Sequence, residues 1–488
     1  MADMTIEQLN HYIEEKEPSI NNTYRPLYHM SPRVGWMNDP NGLVYHEGKY
    51  HLYYQANPLR TRPGQMTWGH FVSPDLIRFQ DLGIALALDK PGEHAYSGGA
   101  INVGEDIHIF YTLHTEMHPE SIRYDGETLE GDEIYTEAEN EYRKSLPRAL
   151  EGEDIKKEQV YHAFSRDGSR YDKGEMVFDN ASLPSHLSRA DFRDPSPVKI
   201  GENYYLFLGA KDIYLNQGVI VVLKGKTLNH FDFAFQIGPF YELGDMAECP
   251  CYRKVDGKDV LLVCGSNTIR RDNDFRNINS SVAIVGDINF EGGMMRVDFI
   301  KELDKGDSFY APQFIAGEAR PILVGWLEMW GKRYPTSRLR HGYVGAFSIP
   351  RLLRIKDGDL YQEPVDELLR YESPWDNETL PRQADIRLTI EEGTILTIKG
   401  DNGRLVLGNS KRGIFLDNTE ANSMYQCARW SNKRYEKAHL RILLDVSCIE
   451  VFIEEGKEVI SSRFYIDGEL RLSLNGQASD INILRIGE

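Results

Sequence analysis

Three acidic residues lie in short polar segments that each precede an apolar run. They are Asp39 in WMNDPNG, Asp194 in FRDP and Glu248 in ECP. Asp-Pro and Asn-Gly favour turns in the backbone, so a purely structural role fits the first two segments. Brought together, one ionised carboxylate could attack a substrate while a second, with a raised pKa, protonates the leaving group. These residue types therefore permit glycoside cleavage if the fold collects them in one pocket.

A repeat in the first 350 residues indicates how the fold could do so. Five units each contain a polar segment and then three strand-like runs, with a glycine-bearing turn between the first two. The units begin at Asp39, Ser97, Asp194, Glu248 and Tyr310. Repeats of about 60 residues made of short strands are typical of a β-propeller. Because first strands surround a propeller axis, we expect the three acids to stand just before those strands and to converge.

The predicted fold class is all-β, with a five-bladed β-propeller followed by a C-terminal β-sandwich. The predicted parts are an N-terminal helical arm (1–26), the propeller (27–355), a linker (356–375) and the sandwich (376–488). The tail favours a sandwich because its strands alternate apolar and polar residues between tight turns. An acidic segment, 115–158, holds 14 acidic and 6 basic residues and is interpreted as an insertion in the propeller.

Composition restricts the partners of the protein. The net charge is −19, so nucleic acids and anionic membranes would be repelled. The chain starts without a basic segment followed by an apolar run, and no stretch resembles a membrane span, which predicts a cytoplasmic location. The five cysteines lack zinc-site spacing, which predicts buried, reduced thiols. We expect no metal and no other cofactor, and the oligomeric state is left open.

Eight motifs, in order along the chain, resemble those of glycoside hydrolase family 32. They are WMNDPNG at 36–42, YYQANP at 53–58, WGHFVSPDL at 68–76, YSGG at 96–99, FRDP at 192–195, ECP at 248–250, FYAPQ at 309–313 and GW at 325–326. This family contains invertases, sucrose-6-phosphate hydrolases and fructan exo-hydrolases. The run IEVFIEEGKEVISSRFY is similar to its C-terminal sandwich. The resemblance implies retaining, metal-free cleavage of β-fructofuranosides.

The resemblance also implies a role for each acid. Asp39 would be the nucleophile, Glu248 the general acid/base and Asp194 the stabiliser of the transition state. Aromatic residues near these segments could pack against sugar rings, although a core position is as good an interpretation for each tryptophan. The predicted substrate-binding residues are Trp36, Asn38, Gln55, Trp68, Tyr96, Ser97, Arg193, Tyr310 and Trp326.

The group attached to fructose is left open, so sucrose, sucrose 6-phosphate and short fructo-oligosaccharides are all candidate substrates. Two basic loops, RTRPG at 60–64 and GKRYPTSRLRH at 331–341, could bind a phosphate, with Arg333 as one candidate. Ordinary solvated cations are the favoured interpretation of these loops. Gly99 and Tyr343 depart from residues that are common in the family, which leaves the leaving-group specificity open.

Three alternatives to a retaining hydrolase fit a propeller with three acids. An inverting five-bladed glycosidase of the arabinanase or xylosidase kind also uses three acids. A catalytically silent sugar-binding protein could share the scaffold, and a fructosyltransferase could share the intermediate. The WMNDPNG and ECP motifs favour the fructosidase over the inverting enzyme, and the presence of all three acids argues against a silent protein.

Overall fold

The computed structural model describes residues 4–88, 90, 92–116, 156–332, 334–423 and 427–487, and strands dominate it. Helix α1 (Ile6–Lys16) begins at a capping box in which the Gln8 N–H donates to Thr5 Oγ1. No helix among these described residues is both long and apolar enough to cross a bilayer. Most of the predicted acidic insertion, together with Arg333, lies outside the described residues.

Five sheets follow one another along the chain. The first contains β1 (Gly35–His46), β2 (Lys49–Asn57), β3 (Thr67–Ser73) and β4 (Gln80–Leu86). The second contains β5 (Glu93–Val103), β6 (Asp106–Glu116), β7 (Lys156–Ser165) and β8 (Glu175–Phe178). The third contains β9 (Leu187–Ile200), β10 (Asn203–Asp212), β11 (Gln217–Thr227) and β12 (His230–Ile237). The fourth contains β13 (Met246–Val255), β14 (Lys258–Ser266), β15 (Ser280–Asn289) and β16 (Met294–Glu302).

The fifth sheet completes a ring. After β17 (Tyr310–Phe314) and β18 (Ile322–Trp326), the chain passes through the short helix α2 (Pro335–Arg338) and strand β19 (Tyr343–Val344). The sheet is then completed by β20 (Arg351–Lys356) and β21 (Asp359–Pro364). The innermost strands β1, β5, β9, β13 and β17 contact one another in that order, and β17 contacts β1. The fold is therefore the five-bladed propeller that the repeat predicts.

Two details of the blades differ from the sequence prediction. The apolar run at 343–350 fits the pattern of the third strand in the fifth unit, but β20 holds that place. The first two residues of the run, Tyr343 and Val344, instead pair in parallel with β1 and link the last blade to the first. Each blade also has a fourth, outer strand, and β21 lies within the predicted linker, 356–375. Outer strands were missed because charged residues break their apolar pattern.

The three acids lie inside the innermost strands or at a bulge in them, which corrects the prediction that they precede those strands. In β1 the pairing register shifts between Met37 and Pro40, so Asp39 falls in a bulge. Asp194 also lies in a bulge of β9, and Glu248 is the residue just before the bulge of β13. Bulges redirect side chains and are common beside active sites. Here the carboxylates of Asp39 and Asp194 both lie against Cys249, the residue after Glu248.

A β-sandwich packs against the propeller. Its first sheet contains β22 (Glu372–Pro374), β23 (Ala384–Glu391), β28 (Lys437–Asp445), β29 (Cys448–Ile453), β30 (Glu458–Arg463) and β32 (Ala478–Ile486). Its second sheet contains β24 (Ile395–Lys399), β25 (Arg404–Ser410), β26 (Gly413–Asp417), β27 (Ala428–Trp430) and β31 (Arg471–Asn475). Fully buried Arg351 joins the modules, since its guanidinium binds Glu450 at 2.9 Å and Asp304 at 3.0 Å. Breaking such a buried pair is costly, so these contacts hold the two modules together.

Candidate active site

Asp39 is a buried carboxylate with one uncommitted oxygen. Ser97 Oγ donates to Asp39 Oδ2 at 2.9 Å, and Cys249 Sγ lies 3.5 Å from the same oxygen. Among the described residues, Asp39 Oδ1 has no hydrogen-bond partner although it is buried. Burial raises the pKa of Asp39 to about 6, against the polar side chains of Asn38 and Ser97, which favour the charged form. Asp39 is therefore mostly ionised at neutral pH and has a lone pair available for attack.

Asp194 lies across Cys249 from Asp39. Its Oδ2 accepts a hydrogen bond from the Cys249 backbone N–H at 2.8 Å, and Cys249 Sγ lies 3.5 Å from that oxygen. The Asp194 backbone N–H donates to Thr112 Oγ1 at 2.8 Å, which fixes a residue whose φ is +66°. Burial raises the pKa of Asp194 to about 7, Arg193 opposes this, and Glu248 adds to it by repulsion. At neutral pH, Asp194 is therefore protonated in a substantial fraction of the molecules.

Glu248 receives more hydrogen bonds than either aspartate. Arg193 Nη2 donates to Glu248 Oε1 at 2.7 Å, Ser266 Oγ donates to Oε2 at 2.9 Å, and the Tyr310 hydroxyl donates to the same Oε2. Burial raises the pKa of Glu248, but Arg193, Tyr310 and Ser266 outweigh burial and hold that pKa below its usual value. A proton donor is expected to have a raised pKa. In this structure the raised pKa values belong instead to Asp39 and Asp194.

The predicted substrate-binding residues occupy two kinds of position. Ser97 hydrogen-bonds to Asp39, and Arg193 and Tyr310 both hydrogen-bond to Glu248. The Arg193 and Glu248 side chains remain 17% and 18% exposed, which places them at the opening of the site. Tyr96 is also partly exposed.

The other predicted residues are buried. Gln55 Nε2 donates to the Ala95 carbonyl at 2.9 Å. The Trp36 indole donates to Asn38 Oδ1 at 2.7 Å and packs against Trp326, with ring centroids 5.8 Å apart. Trp68, Trp36 and Trp326 are all fully buried. In this structure the three tryptophans are thus core residues, and their contact with a sugar stays a prediction.

Both modules of the protein match known family models. The sequence model of the glycosyl hydrolases family 32 N-terminal domain matches residues 29–130 and 132–364. The family 32 C-terminal model matches residues 380–486. The chain belongs to glycoside hydrolase family 32. It is therefore a glycoside hydrolase with the propeller-plus-sandwich fold.

Relatives in family 32 match the chain over nearly its full length. The sucrose-6-phosphate hydrolase of Escherichia coli is 28% identical and covers 92% of this chain and 91% of its own. The sucrose-6-phosphate hydrolase of Vibrio alginolyticus is 30% identical, and the match covers 92% of this chain and 88% of that protein. A solved structure of a Bombyx mori GH32 beta-fructofuranosidase mutant in complex with sucrose has a TM-score of 0.81 and 27% identity, covering 99% of this chain and 98% of that one.

Three polar residues of this family 32 site were not predicted. Thr112 and Ser266 lie on second strands and hold Asp194 and Glu248, respectively. Four of the five second strands carry a polar residue near that end, at Gln55, Thr112, Lys211 and Ser266, and this shared feature could have indicated them. Glu158 was assigned to the acidic insertion because of the surrounding charge, yet it lies in β7 and is fully buried.

The raised pKa of Asp194 predicts a gain in stability when its charge is removed. Because folding raises this pKa from 3.8 to about 7, the folded chain binds the proton more tightly, and the free energy of unfolding falls as pH rises between those values. Asp194→Asn should raise the free energy of unfolding at pH 8 by about 2–4 kcal/mol, taking roughly 1.4 kcal/mol per unit and subtracting the lost attraction to Arg193. Asparagine also tolerates the positive φ.

Urea denaturation of both proteins at pH 4 and pH 8 checks this expectation. The gain should be present at pH 8 and nearly absent at pH 4, where the wild-type carboxyl is already protonated. A variant that is less stable than wild type at pH 8 would show that ionised Asp194 stabilises the fold.

Proposed function

We propose that the protein is a retaining β-fructofuranosidase that hydrolyses the terminal β-D-fructofuranosyl bond of sucrose and related short fructosides. The observation that carries this proposal is the meeting of Asp39, Asp194 and Glu248, from three separate blades, around Cys249. Such like charges repel one another and lose hydration when buried, so a fold gains nothing in stability by collecting them. A displacement that uses one carboxylate as nucleophile and another as acid and base accounts for their presence.

Asp39 has the features of the nucleophile. Its Oδ1 has no hydrogen bond from the described residues, and its pKa of about 6 leaves it mostly ionised at pH 7. In the first step Oδ1 attacks the anomeric carbon of fructose and forms a covalent ester. The Ser97 hydroxyl, which donates to Oδ2, keeps the carboxylate oriented.

Glu248 has the position of the general acid and base, at the exposed side of the cluster. It must carry a proton when the leaving oxygen departs, although Arg193 favours its charged form. The raised pKa of Asp194, about 7, supports the presence of a proton in the cluster near neutral pH. A bound sugar displaces water from Glu248 and offers an ether oxygen as acceptor, and both changes favour the neutral form of Glu248. Asp194 is then ionised and stabilises positive charge on the sugar ring.

The relatives named above support this substrate class, since one was solved with sucrose and two are named sucrose-6-phosphate hydrolases. The test is to follow sucrose cleavage by NMR from the first turnovers. We expect β-fructofuranose as the first product, before mutarotation. The α anomer would indicate an inverting enzyme, and no cleavage of any of the candidate sugars would indicate a silent binding protein. Transfer to sugar rather than water would indicate a fructosyltransferase.

Sucrose 6-phosphate is a second candidate, and one contact favours it. The two basic loops that could bind a phosphate touch each other, since Thr61 Oγ1 lies 2.7 Å from Ser337 Oγ. The first loop joins β2 to β3, and the second follows β18, the second strand of the fifth blade. The loops therefore lie at the end of the propeller where β1 and β17 begin, beside the acids.

A side-by-side comparison of kcat/KM for sucrose, sucrose 6-phosphate and 1-kestose tests this candidate. If a phosphate is bound, the phosphorylated sugar should be preferred by at least about tenfold, equivalent to roughly 1.4 kcal/mol. The preference should shrink with added salt and in Arg62→Ala and Arg333→Ala, because all three weaken attraction to the phosphate. Equal values for the first two sugars, unaffected by salt, would exclude phosphate recognition.

A further inference from the structure

Glu158 is a fully buried carboxylate close to the proposed acid/base. Its Oε2 accepts hydrogen bonds from the Phe192 backbone N–H at 3.1 Å and from Arg193 Nη1 at 3.4 Å. Its Oε1 lies 3.2 Å from His114 Nδ1 and 3.3 Å from Lys156 Nζ. The side chain is only 1% exposed. Because burying a carboxylate is unfavourable unless it is paired, this position requires the cations around it.

Arg193 connects Glu158 to Glu248. One end of its planar guanidinium, Nη1, binds Glu158, and the other end, Nη2, binds Glu248 Oε1 at 2.7 Å. The bond from the Phe192 N–H to Glu158 also fixes the backbone immediately before Arg193. Since the guanidinium is rigid, holding one end determines where the other end meets Glu248.

We propose that Glu158 is a positioning residue that shares the charge of Arg193 with Glu248 and so allows Glu248 to take up a proton during the reaction. The inference rests on the proposed role of Glu248. Without Glu158, Arg193 would face Glu248 with its charge less compensated and would hold Glu248 more firmly as a carboxylate. Proton donation to the leaving oxygen would then be slower, while the groups that hold the fructosyl ring would be unchanged.

The charged surroundings of both carboxylates are defined by several strands. The titratable or charged groups facing Glu248 are Arg193, Asp194, Asp39, Tyr310, Cys249 and Cys264. Those facing Glu158 are Lys156, His114, Arg193 and Asp191, with His94 and Glu116 behind His114. Burial raises the pKa of Glu158, but Lys156, Arg193 and His114 outweigh burial and hold it well below its usual value. Glu158 therefore stays ionised throughout the range in which the enzyme would be assayed.

The first test is the pH dependence of kcat/KM for sucrose in Glu158→Gln. Removing this anion should move the alkaline limb to lower pH by about 1 unit, because the remaining acids lose their protons more easily. At pH 7 kcat should fall by about tenfold, with a smaller change in KM, as expected for an interaction made in the transition state. Asp259→Asn is the matched control, since this buried acid binds the Tyr252 hydroxyl and the Ile288 N–H on the fourth sheet, away from Arg193. The alkaline limb of Asp259→Asn should stay at the wild-type pH.

A second variant shifts the same limb in the opposite direction. Lys156 is partly exposed and pairs with Glu158, so Lys156→Met should fold normally. Without Lys156, the Glu158 carboxylate should compensate more of the positive charge of Arg193. Loss of a cation near the cluster should move the alkaline limb to higher pH. Unmoved limbs in both variants, or shifts of the same sign, would overturn the role of Glu158. The proposed function fails separately if wild-type enzyme does not cleave fructosides or if Glu248→Gln keeps its alkaline limb.

Discussion

Replacing Asp39 with asparagine is expected to lower kcat for sucrose by about 10⁴–10⁶-fold, the range found when a covalent catalyst loses its nucleophilic unit. An amide is a poor nucleophile, and the variant would lose the oxygen that is uncommitted in wild type. The fold should survive, because the Ser97 hydroxyl can still donate to the amide oxygen. Steady-state kinetics and thermal denaturation of the same preparation measure both effects.

The control for Asp39→Asn is a carboxylate on the outer strand of the same blade. Asp81 accepts hydrogen bonds from Gly83 N–H at 2.8 Å and from Arg33 N–H and the Tyr54 hydroxyl at 3.1 Å. Asp81→Ala should lower the free energy of unfolding by about 1–3 kcal/mol, because buried donors are left unpaired, and should keep kcat near wild type. An Asp39→Asn protein that melts far below wild type would assign Asp39 a structural role instead.

Replacing Glu248 with glutamine is expected to lower kcat for sucrose by about 10²–10⁴-fold, the usual value of a lost proton transfer. Wild-type kcat/KM should be bell-shaped. Its acid limb should lie near pH 6, where Asp39 takes up a proton, and its alkaline limb near pH 7, where the cluster loses its last proton. The alkaline limb should disappear in the variant, since glutamine donates no proton at any pH.

The choice of leaving group provides the control for Glu248→Gln. A fructoside whose leaving group departs without protonation should bypass the first role of Glu248, so its first step should be nearly as fast in the variant as in wild type. If Glu248→Gln slows the first step equally on sucrose and on the activated fructoside, and the alkaline limb is intact, another group is the acid.

The sequence revealed the blades because each repeats an apolar run, a turn and a second apolar run. The prediction that the three acids precede the innermost strands was wrong for a local reason. Asp39-Pro40 and Asn41-Gly42 indicate a turn, but β1 continues through them by forming a bulge. Local dipeptide preference cannot distinguish a bulge inside a strand from a loop before it, because both need similar backbone angles.

The sequence pattern also could not predict which distant segments pair with each other. The apolar run that starts at Tyr343 suits a third strand, yet its pairing with β1 depends on closure of the ring. Glu158 follows a strongly acidic run, so its charge indicated a solvated segment. Only the fold shows that His114 and Arg193, from other strands, lie beside it together with the nearby Lys156. Long-range partners of this kind determine the chemistry of the site.

The covalent intermediate on Asp39 gives the most direct test of the central claim. In Glu248→Gln, an activated fructoside should form the ester without acid assistance, and hydrolysis of the ester should be slow because the base that activates water is missing. Mass spectrometry of the quenched, acid-digested protein is predicted to find one fructosyl unit on the peptide that contains Asp39, and none in Asp39→Asn/Glu248→Gln. A fructosyl unit on Asp194, or turnover of the activated fructoside with no labelled peptide at any time, would contradict the account.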